Sequence, residues 1–191
     1  MRVAPIGMVY SCRKMTQLIE AVFQTSIPTH GGQFAICAAA SFAAAVSAAI
    51  DGRSSDEVLR VAIDAAREAE RFRPPSSAGN MAEALQRMYA QLVLVRQELS
   101  ARLQEDDCFP DRPAVIVPLA ISLALLTKSA SETILLAANA GGDTDSVASM
   151  GGALAAAMFP QSVDEGWYRA VENVNNHNLV ELAARLASLR Q

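Results

Sequence analysis

The amino-acid sequence predicts an all-α fold, in one domain over residues 1–191. Hydrophobic residues make up 51% of the chain and aromatic residues only 5%, and much of the apolar content is alanine. This composition suits closely packed helices better than sheets, which favour β-branched and aromatic residues. Apolar residues recur at helical spacing in successive segments, and no segment alternates apolar and polar residues for long enough to indicate a strand. No internal repeat or change of composition suggests a second domain.

About seven or eight helices are expected, and the first half of the chain contains three. Residues 1–7 (MRVAPIG) are predicted to be a loop or short turn, because proline and glycine both interrupt regular structure. A helix is expected over residues 11–24, and the stretch SIPTHGGQ ends it. An alanine-rich helix follows from about residue 34 to Gly52. Ser54, with Glu57 three residues later, forms a capping box that opens the next helix.

The second half shows the same alternation of helices and breaks. Its predicted elements, in order, are a loop RPPSSAGN, an amphipathic helix over 81–104, a polar connection EDDCFPDRP, a buried helix over 114–127, a helix opened by a second capping box at Ser129 and Glu132 and ended at Gly141–Gly142, a helix over 147–158, and a last helix over 166–189.

Composition also bounds the location and partners of the protein. A net charge of −4 and a pI of about 5.2 argue against a nucleic-acid-binding surface. Cys12, Cys37 and Cys108 are odd in number and lack CxxC spacing, so we expect reduced thiols in a cytoplasmic protein.

Residues 34–50 carry no charge. A membrane span needs roughly 20 residues, and this stretch is mostly Ala and Ser without basic flanks, so a buried helix is favoured over a membrane segment. Pro5 and Gly7 stand where the apolar segment of a signal peptide would lie, so no signal peptide is expected.

The stretch AANAGGDTDSVASMGG (residues 137–152) holds the candidate chemistry. One interpretation is a helix–loop–helix joint, with Gly141 as a left-handed cap and Thr144 or Asp145 as the next N-cap. The alternative is a metal site, because Asp143 and Asp145 repel each other beside one helix N-terminus and a cation removes that conflict. Carboxylate and hydroxyl oxygens suit Mg²⁺, Ca²⁺ or Mn²⁺. An EF-hand and a P-loop are excluded by spacing.

Three segments together resemble one known family. NAGGDTDSVASMGGALAAA resembles the signature N-x-GGD-T-D-T/S of the ADP-ribosylglycohydrolases, MRVAPIG resembles their M-R-x-x-P-x-G segment, and THGGQFAICAAASFAAAV resembles their T-H-x-x-x-x-A helix start. Trp167 also stands where the family often has a tryptophan. The resemblance runs from residue 1 to near the C-terminus, and it implies a compact all-α fold without the family's N-terminal helices.

The resemblance implies roles for seven residues. Members of the family bind two Mg²⁺ ions, and Mn²⁺ is a possible substitute. Asp143, Asp145 and Ser146 would be metal ligands, and the substrate-binding residues would be Gly7, His30, Gly141 and Gly142. For His30, a local capping or hydrogen-bonding role is an equal alternative. His177 is expected to be a surface or packing residue.

The family's other half of the site is missing from this sequence. Its T-D-D metal ligands and its general acid/base precede the MR segment, so the catalytic residues are expected outside this chain. The acidic pair Asp106–Asp107 is predicted to lie in a solvated loop. Two functions stay open: a hydrolase that removes ADP-ribose from a modified protein or small molecule, or a non-catalytic ADP-ribose-binding or structural relative. In either case an apolar face should drive association with the missing half or with a second copy.

Overall fold

A computed structural model of the protein describes residues 1–72, 80–94 and 113–191. Within these ranges the secondary structure consists of ten α-helices and short 3₁₀ turns, with no strand, which confirms the all-α prediction. The helices are α1 (Ala4–Val9), α2 (Met15–His30), α3 (Gln33–Ile50), α4 (Ser55–Ala69), α5 (Met81–Leu94), α6 (Pro113–Thr127), α7 (Ala130–Ala138), α8 (Thr144–Met158), α9 (Glu165–Asn175) and α10 (Leu179–Ser188).

Helix α3 is the centre of the fold. It packs against α1, α2, α4, α6 and α8, and most of its side chains from Ile36 to Ala49 are buried. In the described part of the chain it is the one helix long and apolar enough to cross a membrane, but 72% of it is already buried inside the protein. Its alanines permit close packing on all sides. The apolar composition of α3 is therefore that of a core helix, as the sequence predicts.

Two adjacent glycines fix the packing of α8. A Cβ added at Gly151 would lie 2.8 Å from Cγ2 of Thr133 and 3.2 Å from the carbonyl oxygen of Ala120. A Cβ added at Gly152 would lie 2.6 Å from Cγ1 of Ile134. Contacts this short leave no room for a side chain. Helices α6, α7 and α8 therefore pack closely, and the loop between α7 and α8 is held at one end of that unit.

The prediction of a loop over residues 1–7 is wrong, because helix α1 begins at Ala4. Pro5 stands in the first turn of this helix, where its missing N–H costs no hydrogen bond. Gly7 lies inside the helix and is buried against α3: an added Cβ would come within 2.2 Å of the carbonyl oxygen of Ala43. Glycine serves here for close helix packing instead of a turn.

Other boundaries also differ from the sequence prediction. Helix α2 continues through Pro28 to His30 instead of ending near residue 24. Helix α8 begins at Thr144, three residues earlier than expected. The predicted last helix is two helices, since Asn176 and Asn178 adopt left-handed conformations with φ of 52° and 56°. Asparagine tolerates this region better than most residues, which explains the break.

The two serine caps are present. Ser54 and Glu57 form both halves of the predicted capping box, with the Ser54 backbone N–H donating to the Glu57 carboxylate at 2.9 Å. Ser129 accepts a hydrogen bond from the backbone N–H of Glu132 at 3.3 Å, but its own backbone N–H donates to Oγ1 of Thr127, so only one half of the predicted second capping box forms. Most of the predicted loop RPPSSAGN, the second part of the helix predicted over 81–104, and Asp106, Asp107 and Cys108 lie outside the described residues.

Candidate functional site

The loop between α7 and α8 turns on two consecutive glycines. Gly141 has φ of 75° and Gly142 has φ of 71°, a region that costs other residues roughly 1–2 kcal/mol each. Asn139 closes α7 by donating from its side chain to the carbonyl oxygen of Leu135 at 2.8 Å. The backbone N–H of Thr144 then donates to the carbonyl oxygen of Gly142 at 2.9 Å. The chain thus reverses direction within a few residues and enters α8.

The candidate ligands occupy the first turn of α8. Asp143 is the N-cap residue, but its side chain makes no capping hydrogen bond. Asp145 is exposed in the first turn, and Ser146 is buried with 8% of its surface exposed. The predicted N-caps, Thr144 and Asp145, are inside the helix instead. The interpretation as a helix–loop–helix joint is therefore right about the left-handed Gly141 and wrong about the N-cap residue, which is Asp143.

The N-terminal segment lies within electrostatic range of this loop. Burial lowers the pKa of the Met1 amino group, the charge of Arg2 lowers it further, and the Asp143 carboxylate opposes both effects. Arg2 donates to Oγ1 of Thr29 at 2.5 Å, and Nδ1 of His30 is 2.9 Å from the same oxygen. The fold therefore links the loop before α8, the first two residues and the end of α2.

The three segments linked in this way are MRVAPIG, THGGQ and GGDTDS, which are far apart in sequence. Residues 1–191 match the sequence pattern of the family described as ADP-ribosylglycohydrolase. The chain belongs to this family. Its helical fold agrees with that membership.

Two relatives show how much of an ADP-ribosylglycohydrolase-type protein this chain represents. It is 29% identical over 198 residues to a protein of Escherichia coli K12 described as uncharacterized protein YegU, covering 100% of this chain and 58% of the relative. It is 28% identical over 194 residues to an uncharacterized protein of Archaeoglobus fulgidus, covering 99% of this chain and 57% of that relative. The chain thus spans less than two thirds of the length of these relatives.

The remaining predicted site residues lie in different surroundings. His30 is exposed and ends α2, so it does not start a helix as the ADP-ribosylglycohydrolase pattern suggested. Gly7 is buried between α1 and α3, and its carbonyl oxygen accepts a hydrogen bond from Arg190 at 3.0 Å. Gly141 and Gly142 are exposed. His177 is exposed, in agreement with a surface role.

The acidic side chains of this end do not form a complete set of metal ligands within the described residues. Among the residues that the structure describes, no three His, Cys, Asp or Glu side chains are grouped closely enough to hold a metal ion. Asp143, Asp145 and Ser146 offer two carboxylates and one hydroxyl, a hard-oxygen donor set of the kind Mg²⁺ prefers. The oxygen donors are of the type that binds the family's cation, Mg²⁺. Three donors do not fill its coordination shell, so water, substrate or further protein ligands would occupy the other positions.

Sequence reasoning missed a buried polar cluster at the other end of the N-terminal segment. The Arg190 guanidinium donates to Oδ1 of Asp51 at 2.7 Å, to the Ser47 hydroxyl at 3.2 Å and to the carbonyl oxygen of Met8 at 2.8 Å. The Ser47 hydroxyl donates to the carbonyl oxygen of Tyr10. This cluster fixes α1 on α3, and so helps to hold residues 1–2 near the site. No sequence signal pairs residues so far apart.

Proposed function

We propose that this chain forms the cation- and substrate-binding part of a Mg²⁺-dependent hydrolase that removes ADP-ribose from a modified protein or small molecule. The general acid/base and the remaining metal ligands come from polypeptide outside these residues. Family membership supports the reaction class. The placement of Asp143 and Asp145 two residues apart at the N-terminus of α8, next to the exposed backbone of Gly141 and Gly142, supports their use as ligands.

The residues at this end would divide the binding task. Asp143 and Asp145 carry the negative charge that attracts a divalent cation, and Ser146 adds a neutral oxygen. The exposed backbone of Gly141 and Gly142 lets a substrate approach without meeting a side chain. Arg2 supplies a positive charge that attracts the diphosphate of ADP-ribose. When bound, Mg²⁺ supplies charge stabilisation at the ribose oxygens and at the bond to be cleaved.

A second function is favoured by one observation. The described residues contain no complete cluster of metal ligands, so a chain that acts without further polypeptide would bind ADP-ribose and release it unchanged. This alternative is a non-catalytic ADP-ribose-binding or structural member of the family. A hydrolase and an ADP-ribose-binding protein would hold the ligand at the same place, and only the hydrolase would cleave its glycosidic bond.

Thermal unfolding with and without Mg²⁺ and ADP-ribose tests the ligand assignment. At a hundredfold excess over Kd, a ligand stabilises the folded state by about 2.7 kcal/mol. We expect this increment for the wild type and its loss in Asp143→Ala/Asp145→Ala. An equal Mg²⁺ effect on both proteins would show that these carboxylates are not ligands. Release of ADP-ribose from arginine- and serine-linked peptides then separates a hydrolase from a binding protein.

Asp164 provides a matched control. It is also an N-cap aspartate, but its side chain does cap, accepting a hydrogen bond from the backbone N–H of Trp167 at 2.8 Å. Asp164→Ala should cost about 1 kcal/mol of stability whether or not Mg²⁺ is present. It should keep the full Mg²⁺ increment. If Asp143→Ala behaves in the same way as Asp164→Ala, Asp143 is a structural cap and the proposed cation site is wrong.

A further inference from the structure

We draw no further inference here: the strongest candidate, the surface cleft between the start of α4 and the turn that joins α6 to α7, offers the cationic side chains of Arg53 and Lys128 beside a helix N-terminus that Ser54 and Glu57 already cap, and nothing in the described part of the chain points to a ligand for it.

Discussion

Replacing Arg190 by Met should cost about 3 kcal/mol of folding free energy. The substitution keeps an unbranched apolar stem and removes every hydrogen bond that the guanidinium donates. Oδ1 of Asp51 then loses its partner at 2.7 Å, and Oδ2 is already buried without a hydrogen bond, 3.7 Å from Nε of Arg13. Breaking a buried ion pair on one side costs about 3–5 kcal/mol. The lower value applies because the Arg190 side chain is 21% exposed.

Urea unfolding followed by circular dichroism measures this loss, with Arg169→Met as the control. Arg169 pairs with Glu165 at 2.6 Å, closer than the Arg190–Asp51 pair, but both partners are about 70% exposed. Its loss should cost less than about 0.5 kcal/mol. The double variant Arg190→Met/Asp51→Asn should recover roughly 1 kcal/mol, because it removes a carboxylate whose remaining charged neighbour is the exposed Arg13, 3.7 Å away. Similar losses of folding free energy in Arg190→Met and Arg169→Met would refute the argument that burial decides how much an ion pair contributes.

Three further predictions concern single side chains. Hydrogen bonds from the Ser54 side chain and backbone hold the pKa of Glu57 below its ordinary value of 4.5. The stabilisation from the ionised Glu57 carboxylate should therefore be present above pH 4.5 and be lost as the pH falls further. The free energy of unfolding, measured between about pH 6 and pH 3, should fall less steeply with pH in Glu57→Gln than in the wild type. Burial raises the pKa of the Cys37 thiol from 9.0 to about 11, so iodoacetamide at pH 8 should alkylate it about a hundredfold more slowly than a free thiol, and rapid labelling of the folded protein would contradict this. Gly151→Ala should cost about 1–3 kcal/mol by separating α7 from α8, whereas Gly32→Ala, with no atom within 4 Å of the added Cβ, should cost clearly less in the same denaturation assay.

Local signals in the sequence predicted the fold class and several helix ends. The capping box at Ser54 depends on two residues three positions apart, so the pattern alone identifies it. The same holds for Gly52, which has φ of 73° after α3. The oxygen-bearing side chains of the GGDTDS loop identified it as a candidate metal site, and the family resemblance added the class of substrate.

Long-range packing decided what the sequence could not predict. Pro5 and Gly7 look like a loop until the surface of α3 is known, because only Ala43 explains why glycine is required inside α1. Whether a carboxylate caps a helix depends on its rotamer, so Asp143 and Asp145 could not be distinguished as N-cap residues from spacing. The Arg190–Asp51 pair joins residues 139 positions apart, and no periodicity encodes such a contact.

That separation also sets an order of events during synthesis. A ribosome adds roughly 5–20 residues per second, so Asp51 leaves it on the order of ten seconds before Arg190 is made, 139 residues later. Throughout this interval the end of α3 carries a carboxylate without its partner, and the carbonyl groups of Gly7 and Met8 have no guanidinium to bind. Helix α1 therefore gains its hydrogen bonds from Arg190 long after it has been synthesised.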